Sequence, residues 1–144
     1  ASLVAVDAAA STVRRGDWTA ALAAGVKVML AANLWIMQCK ARMLSPTGAC
    51  FAFDRSADGF VHGEGCGVAL LRAPAGAADG AGVADLDEPL ASLRVLGTAT
   101  LQSGRERASL TAPNGLSQQR VMQLAWGLAG CAPRCADAIE CHGT

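Results

Sequence analysis

The chain closes on Ala138-Ile139-Glu140-Cys141-His142-Gly143-Thr144, in which a short apolar run is followed by a histidine, a glycine and a threonine. A brief apolar run bounded by turn-forming residues is typical of a strand, and the glycine favours a turn. The pattern predicts a short strand over 138–141 that presents His142 at its end. An imidazole can donate or accept a proton near neutral pH, so His142 is the leading candidate for a functional residue.

Helical and extended patterns alternate through the rest of the chain. Small and apolar residues over 1–15 predict a helix that Gly16 closes, and the alternation over 93–102 predicts a strand. A second helix is predicted from Ser117, as its N-cap, to Gly130, because its apolar residues recur at i, i+3, i+4 and i+7. Strands that alternate with helices predict an α/β layered fold.

Three segments in the first half are less uniform. Ala20 to Leu30 is ambiguous, because its alanines favour a helix whereas its second half alternates like a strand. The abundance of Gly, Asp, Ser and Pro over 44–67 predicts an irregular loop with turns. The apolar run over 66–72 predicts a buried strand at the centre of its sheet.

Two further motifs stand upstream of the closing one. They are Phe53-Asp54-Arg55-Ser56-Ala57-Asp58-Gly59-Phe60-Val61-His62-Gly63-Glu64-Gly65-Cys66-Gly67 and Leu110-Thr111-Ala112-Pro113-Asn114-Gly115. With His142-Gly143-Thr144, and in this order, they resemble the β-ketoacyl synthase domains of type I polyketide synthases. The opening Ala1-Ser2-Leu3-Val4-Ala5 is similar to the end of the family's Cys-Ser-x-Ser-Leu-Val-Ala stretch, which implies a nucleophilic cysteine two residues before Ala1.

The resemblance implies a fold and a domain organisation. The fold is thiolase-like, with five layers (α-β-α-β-α) built from two related α/β halves, and this chain would hold part of it. Residues 1–72 would end the N-terminal half, 73–89 would form a connector, and 90–144 would begin the C-terminal half. The resemblance also assigns Ala20–Leu30 to a strand.

The resemblance implies an activity and site residues as well. The implied activity is the decarboxylative Claisen condensation of acyl and malonyl-type thioesters in polyketide or fatty acid biosynthesis. His142 would act in it as a catalytic hydrogen-bond donor to the malonyl thioester. Thr111 and Thr144 would contact the phosphopantetheine arm. Each has an ordinary alternative, since His142 could be a plain strand-end histidine and both threonines could be turn residues. The second catalytic histidine would lie beyond Thr144, so the 144-residue chain alone is expected to be inactive.

Partners follow from the same resemblance. No cofactor is expected to bind directly, because the phosphopantetheine arm is carried by an acyl carrier protein, and the intact domain is expected to form a homodimer. A second hypothesis is a non-condensing ketosynthase-like scaffold or dimer partner in which the nucleophile is replaced. The residue two positions before Ala1 distinguishes the two.

Composition excludes several other classes. The chain is 52% apolar, and 12 basic residues balance 12 acidic ones without a basic cluster, which disfavours nucleic-acid binding. The best apolar stretch, Val26 to Met37, contains Lys27 and Asn33 and is too short for a membrane span. No leader is recognisable at the N-terminus, and the sequence leaves the compartment open between cytoplasm and plastid.

The six cysteines predict neither a disulfide framework nor a metal site. A chain this apolar needs no disulfide to fold, so we expect free, buried thiols. Cys131, Cys135, Cys141 and His142 are spaced by four, six and one residues, unlike the paired knuckles of zinc sites. Cys66 and Cys141 lie in apolar runs that would hide the sulfur, which argues against a nucleophilic role.

The glycine-rich motif contains polar residues for which a structural role is expected. Asp54 and Asp58 should accept hydrogen bonds from nearby backbone N–H groups in turns. Glu64, between two glycines, should be held by neighbouring backbone amides. His62 is expected to be partly exposed, and the glycine spacing matches no phosphate-binding fingerprint.

Overall fold

The computed structural model describes residues 1–73, 93–102 and 114–143. In chain order the elements are α1 (Ser2–Arg14), β1 (Ala20–Lys27), α2 (Ala32–Lys40), β2 (Gly65–Arg72) and α3 (Gly115–Ala129). A single 3-10 turn, Pro133–Cys135, follows α3. Helices alternate with strands, as expected for an α/β fold.

Helix α1 forms where the sequence predicts it. Ala9 and Ala10 are buried, which is the role their small side chains suit in close packing. Arg14, in the last turn, places a positive charge at the C-terminal end of the helix dipole. Gly16 then adopts a φ of 77°, a left-handed conformation that glycine accepts without strain, and the helix ends there.

The two strands form one sheet, in which β1 pairs with β2. The N–H of Ala73 donates to the carbonyl of Thr19 at 3.0 Å, which joins the end of β2 to the start of β1 and fits strands of opposite direction. The prediction of a strand in 20–30 is confirmed. The burial predicted for 66–72 is wrong, because seven of the eight residues of β2 are exposed. Burying a strand on both faces requires a covering layer on each.

Helix α2 is absent from the sequence predictions. It contains straight-chain helix formers such as Met37, Gln38 and Lys40, but its N-cap residue is Ala31, which makes no side-chain capping bond. The helix therefore lacks the start signal on which a prediction from sequence depends.

The predicted loop between α2 and β2 is confirmed as irregular. Its two ends meet at an isolated bridge between Leu44 and Phe60, and the N–H of Ser45 donates to the carbonyl of Phe60 at 3.0 Å. Gly59 adopts a φ of 146°, and a Cβ on it would lie 2.4 Å from the Ser45 nitrogen. Only glycine allows the chain to close the loop at this point.

Two predicted strands are wrong. The residues over 93–102 and over 138–141 are extended or irregular and belong to no strand of the described chain. Both segments have strand-like sequences, but a strand is defined by ladder hydrogen bonds to a neighbour. The first segment is held by side chains of α1 and by close packing on α3, as described below.

Helix α3 confirms the second helix prediction with one correction. Its N-cap is Asn114, whose side-chain oxygen accepts from the N–H of Ser117 at 3.1 Å, so Ser117 is the capped residue and not the cap. Gly130, with a φ of 66°, closes the helix in the left-handed conformation, as predicted.

The chain divides into two compact units. The first contains Ala1–Ala24 and Val68–Ala136, and the second contains Gly25–Gly67 and Asp137–Thr144. Among the described residues, none of the helices is long and apolar enough to span a bilayer.

Candidate functional site

Of the three residues predicted for the site, the structure describes one. Thr111 and Thr144 lie outside the described residues. His142 lies in the second unit, and its side chain is exposed. An exposed imidazole is open to a substrate, although the strand predicted to carry it is absent.

The residue after the histidine is fixed by its surroundings. Gly143 has a φ of 65°, and a Cβ on it would lie 3.1 Å from the Cβ of Ala52 and 3.9 Å from the ring of Phe53. Phe53 has a φ of 62°, which is uncommon for an aromatic residue, and is 86% exposed. The glycine-rich motif and the closing motif are therefore adjacent within the second unit.

The turn that supports this contact is closed by local hydrogen bonds. Asp54 Oδ1 accepts from the hydroxyl of Ser56 at 2.6 Å and from its N–H at 2.8 Å. The Ser56 hydroxyl, and then its N–H, lower the pKa of Asp54 below its usual value because both bonds favour the carboxylate. The prediction for Asp54 is thus confirmed. Asp58 differs, since its carboxylate accepts from the hydroxyl of Thr47 at 3.2 Å and not from a nearby backbone group.

His62 is half-buried and joins three segments of the second unit. Its ring meets Trp35 edge-on at 4.9 Å between centroids and Phe60 at 5.3 Å. Its Nδ1 contacts Lys27 Nζ and its Nε2 contacts Gln38 Oε1. His62 therefore contacts β1, α2 and the segment before β2 through its ring and both ring nitrogens.

Glu64 is held by a backbone amide, but not by a neighbouring one as predicted. Its Oε1 accepts a hydrogen bond from the N–H of Met29, 35 residues earlier in the chain. The amide that holds it belongs to the segment between β1 and α2, so the bond connects that segment to the residue just before β2. Sequence spacing carries no signal for such a partner.

In the first unit, a polar cluster joins α1 to the segment 93–102. The hydroxyl of Thr100 donates to Asp7 Oδ2 at 2.8 Å, and Arg14 donates to the Thr98 hydroxyl at 3.3 Å and to the Val95 carbonyl at 3.4 Å. Hydrogen bonds from Thr98, and then Thr100, lower the pKa of Asp7, and the Arg14 charge adds to this while partial burial opposes it. We call Asp7, Arg14, Thr98 and Thr100 the α1 clamp. Its two sides lie too far apart in sequence for a local pattern to predict it.

Further candidate sites in the described chain are its cysteines and one cavity. All six cysteines are free, as expected, but five are exposed and Cys131 is half-buried, which contradicts the predicted burial. Among the residues that the structure describes, no three His, Cys, Asp or Glu side chains are grouped so as to hold a metal ion. A shallow cavity of about 300 Å³ lies on the first turns of α3 and does not include His142.

Comparison with known proteins identifies the family. The chain matches the family model of the β-ketoacyl synthase N-terminal domain over residues 1–76 and that of the C-terminal domain over residues 93–144. The chain belongs to the β-ketoacyl synthase family. Its similarity is to the ketosynthase domains of type I polyketide synthases, as the motifs indicated.

Individual relatives and solved structures support the assignment to the β-ketoacyl synthase family. A phenolphthiocerol/phthiocerol polyketide synthase polypeptide of Mycobacterium tuberculosis is 43% identical over 143 residues, or 99% of this chain and 7% of that protein. Polyketide synthase ThaG of Burkholderia thailandensis is 42% identical over 99% of this chain and 2% of its own length. The oxazolomycin ketosynthase domain OzmH KS7 of Streptomyces albus JA3453 matches with a TM-score of 0.77 and 32% identity, covering 92% of this chain and 22% of that one.

A second solved structure gives the same fold. The ketosynthase from module 6 of the bacillaene synthase of Bacillus subtilis 168 matches with a TM-score of 0.71 and 30% identity, covering 90% of this chain and 22% of that one. The predicted fold class is confirmed: the chain has part of the thiolase-like α/β fold of ketosynthase domains. The chain spans only 7% of the length of the Mycobacterium tuberculosis relative and 2% of the length of ThaG.

Proposed function

We propose that this chain contributes a catalytic histidine, His142, to a ketosynthase domain that performs decarboxylative Claisen condensation. The observation that carries the proposal is the position of His142. It stands in the His-Gly-Thr motif at the end of a family match, it is exposed, and the glycine after it is fixed against the Ala52–Phe53 turn.

The chemistry requires a donor at a developing negative charge. An acyl group is bound as a thioester on the nucleophilic cysteine, and the malonyl-type thioester loses carbon dioxide to give an enolate. The enolate carbon attacks the acyl carbonyl, a carbon–carbon bond forms, and the cysteine leaves as a thiolate. The imidazole N–H of His142 donates to the enolate oxygen, and a preorganised donor of this kind contributes about 3 kcal/mol.

The carrier and the domain organisation complete the proposal. The malonyl unit would arrive on the phosphopantetheine arm of an acyl carrier protein, with Thr111 and Thr144 as hydroxyl contacts to the arm. Residues 1–72 and 90–144 would belong to the two halves of the domain, with 73–89 between them and a homodimer in the intact synthase. The family models, which match residues 1–76 and 93–144 separately, support this division.

The test separates loading from condensation in the full-length synthase. We expect His142→Ala to lower product formation by about 10²- to 10³-fold, while acylation of the cysteine, followed by mass spectrometry, stays close to the wild-type level. Cys141→Ala is the matched control, because it removes an exposed neighbouring side chain and should leave both steps unchanged.

Two results would contradict the proposal. Condensation by His142→Ala at the wild-type rate would show that the imidazole does not act on the enolate. A wild-type protein that neither loads nor condenses would favour the scaffold alternative. Residues 1–144 expressed alone are expected to give only background condensation.

A further inference from the structure

The α1 clamp has no part in the chemistry proposed above, yet it connects two parts of the chain that this chemistry needs. On one side, Thr100 donates to Asp7 at 2.8 Å, and Arg14 reaches Thr98 at 3.3 Å. Asp7 and Thr100 are 93 residues apart in sequence, so the contact is tertiary and not a local turn.

The opposite side of the segment 93–102 lies directly on α3. A Cβ added to Gly97 would lie 2.2 Å from the Ala125 carbonyl oxygen and 2.8 Å from the Ala129 nitrogen. The backbone at Gly97 therefore lies too close to the α3 backbone to leave room for a side chain. Within the first unit, the segment is held between two helices.

No strand ladder fixes the segment, because it belongs to neither strand of the described sheet. Its position along α1 is set by directional contacts, one of which is the hydrogen bond from the Thr100 hydroxyl to Asp7 at 2.8 Å. Arg14, two turns further along the helix, holds the same segment through Thr98 and Val95. Removal of Asp7 leaves the hydrogen bonds of Arg14, near the C-terminal end of α1, to hold the segment.

The consequence concerns the start of α1. At about 1.5 Å per residue, Arg14 lies about 18 Å along the helix axis from Ser2, the first helical residue. With Asp7 removed, a tilt of about 2 to 3 degrees about the Arg14 end would therefore move the start of the helix by roughly 0.5 to 1 Å. Displacements near 1 Å can lower a rate by about 10²-fold.

We propose that Asp7 is a positioning residue: by clamping α1 to the segment 93–102, it sets the approach of the nucleophilic cysteine to its thioester substrate. The inference rests on the proposed function and on the family resemblance, which implies that the cysteine lies two residues before Ala1.

The experiment measures cysteine acylation in the full-length synthase, expressed per active site. Active sites are counted as the plateau of acyl-enzyme formed at saturating acyl thioester, measured by mass spectrometry, so that misfolded protein does not enter the rate. We expect Asp7→Ala to lower the per-site acylation rate by about 10- to 100-fold while KM for the acyl thioester stays unchanged. Asp7→Asn retains an acceptor oxygen and should recover part of the rate.

Two further variants define the clamp. Thr100→Val removes one hydroxyl with little change of shape and should lower the per-site rate several-fold, and the double variant with Asp7→Ala should be no slower than Asp7→Ala alone. The matched control is Asp17→Ala, also an aspartate beside α1, which pairs with Arg15 at 2.8 Å on an exposed surface and should leave the rate unchanged.

The outcomes are distinct. A wild-type per-site rate in Asp7→Ala, with fewer active sites, would show a purely structural role and overturn the inference. If Asp7→Ala yields no folded enzyme, a wild-type per-site rate in both Thr100→Val and Asp7→Asn would overturn it equally. Absence of acylation in the wild-type enzyme would instead overturn the proposed function.

Discussion

At Gly143, backbone conformation and a tight contact both exclude a side chain. Its φ is 65°, and a Cβ would lie 3.1 Å from that of Ala52. We expect Gly143→Ala to cost about 1 kcal/mol in local stability, because a non-glycine residue is strained in this conformation. The displaced histidine should lower condensation on the order of 10-fold. Product formation by the full-length synthase measures this.

Gly127 provides the matched control. It lies inside α3, and a Cβ there would meet no atom within 4 Å. Gly127→Ala should therefore leave condensation unchanged and stabilise the helix by about 0.5 to 1 kcal/mol. Equal rates for Gly143→Ala and Gly127→Ala would show that the chain near His142 is not held by this contact.

The turn at Asp54 predicts a pH dependence. The hydroxyl of Ser56 is the main cause of the lowered pKa of Asp54, followed by the Ser56 N–H. A lowered pKa means that the ionised carboxylate stabilises the turn above the usual pKa of an aspartate, and that this stabilisation is lost as the pH falls through the lowered value. Ser56→Ala should therefore raise the pKa of Asp54 toward its usual value.

A carbon-13 titration of the Asp54 carboxyl group measures the change. Thr47→Val is the control, because it removes the hydroxyl that bonds to Asp58 and leaves the Asp54–Ser56 pair intact. An unchanged Asp54 titration in Ser56→Ala would mean that the hydroxyl bond does not form in solution.

These residues show which contacts a sequence can predict. Asp54 and Ser56 are two positions apart, a spacing at which short polar side chains bond to the backbone, so their turn was predictable. The partners of Glu64 and Asp7 lie 35 and 93 residues away. Such bonds depend on how the elements pack, and local sequence contains no signal for them.

Among the elements, α3 has an N-cap that the sequence and the structure assign differently, to Ser117 and to Asn114. Asn114→Ala should destabilise the helix by about 1 kcal/mol, because its side chain accepts from the N–H of Ser117. Ser117→Ala should cost less than about 0.5 kcal/mol, since only its backbone takes part in the cap. Thermal denaturation of the ketosynthase domain compares the two. A larger loss of thermal stability for Ser117→Ala than for Asn114→Ala would show that Ser117 is the N-cap.

Helices were predicted better than strands for a physical reason. The extent of α1 and the end of α3 follow from glycines and apolar spacing within each segment, whereas α2 was missed because no capping side chain marks its start. The segments 93–102 and 138–141 alternate like strands but lack a ladder partner in the described chain. Strand formation depends on a neighbour that the segment itself does not contain.

At the scale of the whole molecule, the family and the fold were predictable because three motifs occur in a fixed order across most of the chain. The same motifs predicted His142, Thr111 and Thr144, whose roles stay predictions. The structure adds what motif order cannot supply, namely that the closing motif lies beside the Ala52–Phe53 turn and that α1 is clamped to the segment 93–102.

The exposed apolar surface predicts how the isolated polypeptide behaves. Among the described residues, only the small side chains of Ala9, Ala10 and Ala23 form a buried apolar core, while large ones are open to solvent, including Leu30 at 91% and Leu93 at 94%. Soluble monomers rarely expose contiguous apolar patches beyond a few hundred Å². Residues 1–144 expressed alone should therefore aggregate, and a polypeptide extended to the full ketosynthase domain should elute as a discrete species in size-exclusion chromatography. A monodisperse 144-residue monomer with a cooperative thermal transition would show that these apolar faces need no covering by the rest of the domain.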